Sequence, residues 1–180
     1  MSWEIPSRRR KTVTLTVRLD EQSEKELKEE AVGKSVTVNT LVSQIIAKYL
    51  EWDRHMEKLD AITIPADALA RLSDRVDEES LADFARDLAK SRINLVRIWY
   101  KEVTPENVLR FLSFYFERNK TARIALSKDE RPQHVIGFHR GGMKGSIWFK
   151  HFVEAMFKLS GKHIVVEVQE NQFSFVFDGR

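Results

Sequence analysis

Residues 12–19 read Thr-Val-Thr-Leu-Thr-Val-Arg-Leu, and the fold of the first third of the chain turns on them. Val13, Leu15, Val17 and Leu19 alternate with Thr12, Thr14, Thr16 and Arg18, so an extended backbone puts every apolar side chain on one face. β-Branched residues at a period of two predict a strand. Asp20 follows at once with Ser23 behind it, a suitable N-cap for an acidic helix over Asp20–Glu30. A break at Gly33–Ser35 comes next. Thr37 then caps a second helix whose stripe is Val38, Leu41, Val42, Ile45, Ile46, Tyr49 and Leu50, and this helix is expected to run through Trp52 toward Leu59.

One strand and two short helices cannot bury so much apolar surface alone, and a single strand has no partner for its backbone groups. A dimer solves both problems. Two strands pair antiparallel over four helices, leaving a ribbon with Thr and Arg side chains outward, of a size that fits the DNA major groove.

The stretch resembles the ribbon-helix-helix (MetJ/Arc-type) DNA-binding family. The likeness rests on the strand Val13–Leu19, the junction Arg18-Leu19-Asp20-Glu21, and the second-helix opening Val36-Thr37-Val38-Asn39-Thr40-Leu41-Val42 at matching spacing. It covers about 40 residues, with Ser35 standing where the family usually has glycine. The resemblance implies that Thr14, Thr16 and Arg18 read bases, Arg18 by paired hydrogen bonds to guanine. It also implies that Thr37, Asn39 and the backbone amides around Thr40 hold a phosphate. The basic arm Arg8, Arg9, Arg10 and Lys11 precedes the strand and is placed to touch phosphate or the minor groove.

Charge is uneven along the chain. Residues 1–60 carry 11 basic and 11 acidic side chains, whereas residues 120–165 carry 9 and 3, so any affinity of the N-terminal module for DNA must come from placement and not from bulk charge. The absence of cysteine excludes disulfides, thiolate zinc sites and thiol catalysis. No apolar run reaches the roughly 20 residues of a membrane span, and residues 1–20 lack a signal-peptide core. A cytoplasmic, nucleoid-associated protein is expected.

The expected fold class is α+β: a flexible arm over 1–11, a ribbon-helix-helix dimer module over 12–59, and a mixed α+β domain over 60–180 for oligomerisation or effector sensing. Within the last, strands are predicted at Ile62–Ile64, Ile93–Trp99, Arg123–Ser127 and Val135–His139, and a terminal hairpin Ile164–Gln169/Phe173–Phe177 turning at Glu170-Asn171. Helices are predicted from Pro65 to Val76, over Glu79–Lys90, from Thr104-Pro105 to Arg118, and over Lys144–Leu159 after the Gly141-Gly142 break. The last is apolar on most sides and is expected to be central or shared with another subunit. This region faintly resembles C-terminal domains of archaeal ribbon-helix-helix proteins, which implies no activity.

His134, His139, His151 and His163 fall within thirty residues, but their spacing matches no ligand set, so no metal is expected. The run from His139 to Ser146 reads either as an anion pocket at a helix start or as a plain Gly-Gly turn on a basic surface, the commoner case. No cofactor and no catalytic set is expected. The reading is a sequence-specific transcriptional regulator that binds double-stranded DNA as a homodimer through the ribbon, with higher oligomers through the C-terminal domain. Its rivals are an architectural chromatin protein, an antitoxin, and an enzyme or ligand binder carrying an accessory DNA-binding module.

Overall fold

The computed structural model describes residues 13–57, 71–127 and 132–179. The chain is mixed α+β and divides into two compact units, Met1–Thr63 and Ile64–Arg180.

In the first unit, helix α1 (Glu21–Gly33) and helix α2 (Val38–Lys48) lead into a π-helical turn, Tyr49–Asp53, and a last turn α3 (Arg54–Glu57). The second helix is thus helical through Glu57, and its expected approach to Leu59 lies outside the described residues. In a π turn, residues five apart share a side. Lys48 uses this to reach both oxygens of Asp53 at 2.7 Å. The expected ribbon strand is not a strand of the single chain. Residues 13–20 carry no ladder, and among the described residues every paired strand lies between 122 and 177. A lone β segment has no donor or acceptor opposite it, so its pairing cannot form within one copy.

The second unit holds α4 (Glu78–Tyr100), α5 (Pro105–Arg118), β1 (Ala122–Leu126), β2 (Gln133–His139), α6 (Gly142–Leu159), β3 (Glu167–Gln169) and β4 (Gln172–Phe177). The four strands form one antiparallel sheet in the order β1-β2-β4-β3. Caps set the helix starts. Asp77 accepts from the Ser80 amide at 2.8 Å, and Thr104 accepts from the Asn107 amide at 3.2 Å with Pro105 in the first turn.

The expected strand Ile93–Trp99 is instead the second half of α4. Lys90-Ser91-Arg92 contains no breaker, and Ala85, Ala89 and Val96 continue one buried helical face. Tertiary packing overrides the local β preference of Ile and Val. The helix predicted to reach Val76 is seen only from its end, helical at 71–73 and then turning, and Ile62–Ile64 lies outside the described residues. The terminal hairpin turns at Glu170-Asn171 as expected, but its first strand is shorter. Residues 164–166 leave the ladder, and the Val166 amide donates to Glu154 Oε1 on α6 at 3.0 Å.

Helix α6 is the centre of this unit. Phe152, Val153, Met156 and Phe157 have no exposed surface. Phe149 stacks on Phe173 of β4 at 5.0 Å, Phe157 meets Phe175 at 5.5 Å, and Phe116 of α5 closes the cluster 5.0 Å from Phe149. Each such ring contributes roughly 1.5–3 kcal/mol of apolar burial. Gly137, opposite Phe173, makes this packing possible. A Cβ there would lie 2.1 Å from the Phe173 ring. Gly137→Ala is therefore expected to cost about 1–3 kcal/mol, measured as a lower urea midpoint at constant m-value. An unchanged midpoint would mean the Phe173 ring is not fixed over the strand.

Candidate nucleic-acid interface

The three expected base readers sit on one extended segment. Residues 13–20 are all exposed, and their alternation puts Thr14, Thr16 and Arg18 on one side and Val13, Leu15, Val17 and Leu19 on the other. The segment ends at Asp20, whose carboxylate accepts from the Ser23 amide at 2.8 Å and from the Ser23 hydroxyl at 2.7 Å. These two bonds, the hydroxyl's first, hold the Asp20 pKa below the usual carboxylate value and keep a negative charge at the start of α1.

Between the helices the chain makes a Schellman turn. The Val36 amide donates to the Ala31 carbonyl and the Ser35 amide to that of Val32, both at 3.0 Å. Ser35 occupies the left-handed position of this turn at φ 55°. A side chain there costs roughly 1 kcal/mol.

Thr37 then caps α2. Its hydroxyl accepts from the Thr40 amide at 3.1 Å and lies 2.9 Å from the Thr40 hydroxyl. The Thr40 amide is thereby occupied, and the first-turn amides without a partner inside the helix are those of Val38 and Asn39. Thr37, Asn39 and Thr40 are all exposed. The two groups of expected contacts lie in one compact unit. Among the described residues, no hydrogen bond or ion pair ties 14–18 to the α2 start. The arm Arg8, Arg9, Arg10 and Lys11 lies outside the described residues.

The run from His139 to Ser146 is a linked turn and not an anion pocket. Lys144 Nζ donates to the carbonyls of Ser73, Asp74 and Val76 at 3.2, 2.8 and 2.7 Å, so its charge closes a helix end. The Gly141 amide donates to His139 Nδ1 at 3.1 Å. Since an amide can only donate, the imidazole proton sits on Nε2, which donates to Ser146 Oγ at 2.9 Å. The Ser146 hydroxyl in turn donates to the Gln169 carbonyl at 2.5 Å.

A serine beside a histidine invites comparison with a nucleophile and its base, but the arrangement opposes that use. The proton is on the wrong nitrogen, and Ser146 has no exposed surface. No sequence signal short of the fold itself joins His139, Ser146 and Gln169.

His134 is exposed on the opposite side of β2 from buried His139, as a five-residue separation requires. His151 lies 3.4 Å from Arg86, and His163 is exposed. Among the described residues no three His, Asp or Glu side chains gather to hold a metal, and no helix is long and apolar enough to cross a membrane. No protein-family model matches the chain, and no curated protein or solved structure is significantly similar to it.

Ser35→Gly relieves the left-handed strain and is expected to stabilise the N-terminal unit by about 1 kcal/mol; a lower melting temperature in that variant would show that the serine hydroxyl matters more than the backbone. Burial holds the His139 pKa down to about 4, against 6.5 in an unfolded chain. The folded protein then binds fewer protons than the unfolded one between those values. Stability is complete above about pH 6.5, falls as pH drops toward 4, and loses at most about 3 kcal/mol. Urea unfolding at pH 4.5 and 7.5 measures the loss, and His139→Gln should remove that part of the slope while lowering stability throughout. A slope identical in wild type and variant would contradict the assignment.

Proposed function

We propose that the chain is a sequence-specific DNA-binding transcriptional regulator whose N-terminal unit pairs with a second copy to form a two-stranded ribbon. The observation that carries this reading is a complete apolar face left open in one copy. Val13, Leu15, Val17 and Leu19 are 86, 76, 56 and 49% exposed on a segment with no ladder partner. Ile45, Ile46, Tyr49 and Leu50 of the α2 stripe are exposed as well, whereas Ala31, Leu41 and Trp52 are the buried apolar side chains of this unit among the described residues. Contiguous exposure of this kind marks an interaction surface. A second copy satisfies both needs together, pairing backbone to backbone and stripe to stripe.

Pairing through residues 13–19 leaves Thr14, Thr16 and Arg18 outward on the ribbon, where two β-strands fit the major groove. The Thr37-capped start of α2 supplies amides and a hydroxyl suited to a phosphate oxygen. The resemblance to the ribbon-helix-helix family and the left-handed turn at Ser35 support the same arrangement. A protein of this kind works on the nucleoid, in the cytoplasm, and requires no cofactor or catalytic group.

Selection of bound sequences from random double-stranded DNA at physiological salt tests the reading. A palindromic consensus is the expected outcome, and equal binding of all sequences with steep salt dependence would replace the regulator by an architectural protein. Arg18→Ala is expected to lower affinity for the selected site by roughly 5- to 150-fold, the range of a lost bidentate base contact, while the far-ultraviolet circular dichroism stays the same. Sedimentation should give a dimer for the wild type and a shift toward monomer for Val17→Lys. A monomeric wild type at micromolar concentration would end the ribbon proposal.

A further inference from the structure

Among the described residues, helices cover one face of the sheet of the C-terminal unit. Val135, Phe173, Phe175 and Phe177 point into the core, and the alternate residues form an open face. The strand registers align that face in rows. Arg123, Phe138, Gln172 and Gln169 stand side by side across β1, β2, β4 and β3. Phe138, at the middle of this row, is 47% exposed, although it sits on a strand paired on both sides. Ala125, Ile136, Ser174 and Glu167 form the next row.

Charge is arranged around the ring. Ala122 pairs with His139, so the start of β1 and the end of β2 lie at one end of the sheet. Lys120 and Arg140 flank that end in sequence, and Arg123 faces Phe138 directly. All three cations are exposed, and among the described residues none has a carboxylate partner. Two acidic groups share this surface: Glu167 on β3, in the second row, and Glu170 in the β3–β4 turn, whose Asn171 is bonded to the end of β2.

We propose that this open face binds single-stranded nucleic acid, with a base stacked on Phe138 and backbone phosphates against Lys120, Arg123 and Arg140. An exposed aromatic ring with a guanidinium beside it offers stacking and charge to the same nucleotide. Gln172 and Gln169 continue the row with carboxamides that can both donate to and accept from a base edge. A duplex does not fit, because its stacked bases present no face to a ring. A second copy fits poorly for two reasons. Strands of this length and spacing offer roughly 350 Å² per copy, well under the ~800 Å² per partner of a standard interface. A twofold contact centred on Phe138 would also bring the two Arg123 charges together.

This surface is separate from the ribbon, and the test keeps the two apart. Full-length protein is titrated into fluorescein-labelled 12-mers of oligothymidylate and oligouridylate, with anisotropy read at two salt concentrations. Phe138→Ala is expected to weaken binding of the single strands by roughly 5- to 100-fold, the range of one lost stacking contact, and Phe138→Trp should retain it. Arg123→Ala should flatten the salt dependence by about 0.7 in log–log slope. Arg18→Ala should leave single-strand affinity unchanged, and Phe138→Ala should leave binding to duplex DNA unchanged. Comparing the two oligonucleotides assigns the sugar, since only the ribose offers a 2′-hydroxyl. Equal single-strand affinity of the wild type and Phe138→Ala overturns the proposal. So does a change in sedimenting mass in Phe138→Ala, which would make the face a contact between copies.

Discussion

The bond from the Gly141 amide to His139 Nδ1 fixes how the C-terminal unit closes. It forces the imidazole proton onto Nε2, and from there the chain of donors runs through Ser146 to the Gln169 carbonyl. The same corner receives two more bonds. The His139 amide donates to the Asn171 carbonyl at 3.0 Å, and the Gly142 amide donates to the Asn171 side chain at 2.8 Å. The end of β2, the start of α6 and the β3–β4 turn are thus tied at one point. Gly142 and Asn171 both take left-handed backbone angles there, and a Cβ at Gly145 would press on the imidazole at 3.1 Å. A protonated His139 would present an N–H to an N–H, so the corner requires the neutral ring that burial enforces.

The two units resolve the same physical demand in opposite ways. In the C-terminal unit, α6 is enclosed by α4, α5 and one sheet face, and its aromatic rings meet partners at stacking distance. Its core is satisfied within one chain, although Phe84, Ile98 and Phe138 remain outside it. The N-terminal unit reverses this. Its caps and turn are complete, from Asp20 through Ser35 to Thr37, yet beyond Ala31, Leu41 and Trp52 its large apolar side chains are not buried. Local structure there is specified by short-range hydrogen bonds, and little of its tertiary burial is achieved within the single chain.

This division explains what was legible in the sequence. Caps are read from one or two side chains at fixed spacing, so Asp20, Thr37 and Thr104-Pro105 were visible without a fold. The turn at Glu170-Asn171 and the break at Gly141 were visible for the same reason. The helix through Ile93–Trp99 was not, because its apolar residues fit either period until Ala85 and Ala89 are seen to share their buried face. The role of Lys144 was hidden because its three carbonyl partners lie about seventy residues earlier in the chain. The open face holding Phe138 was equally hidden. A period of two says that alternate residues separate, but only the registers of neighbouring strands decide which side chains stand in one row.

Sequence preference and charge make separate demands on such a protein. The N-terminal sixty residues are neutral in sum, so a ribbon built from them would have little non-specific attraction and would depend on the fit of Thr14, Thr16 and Arg18 to base edges. The basic excess lies later, in residues 120–165, where Lys120, Arg123 and Arg140 border the open sheet. Charge on a ribbon would raise affinity for every sequence alike, whereas the basic excess of this chain lies in the other unit.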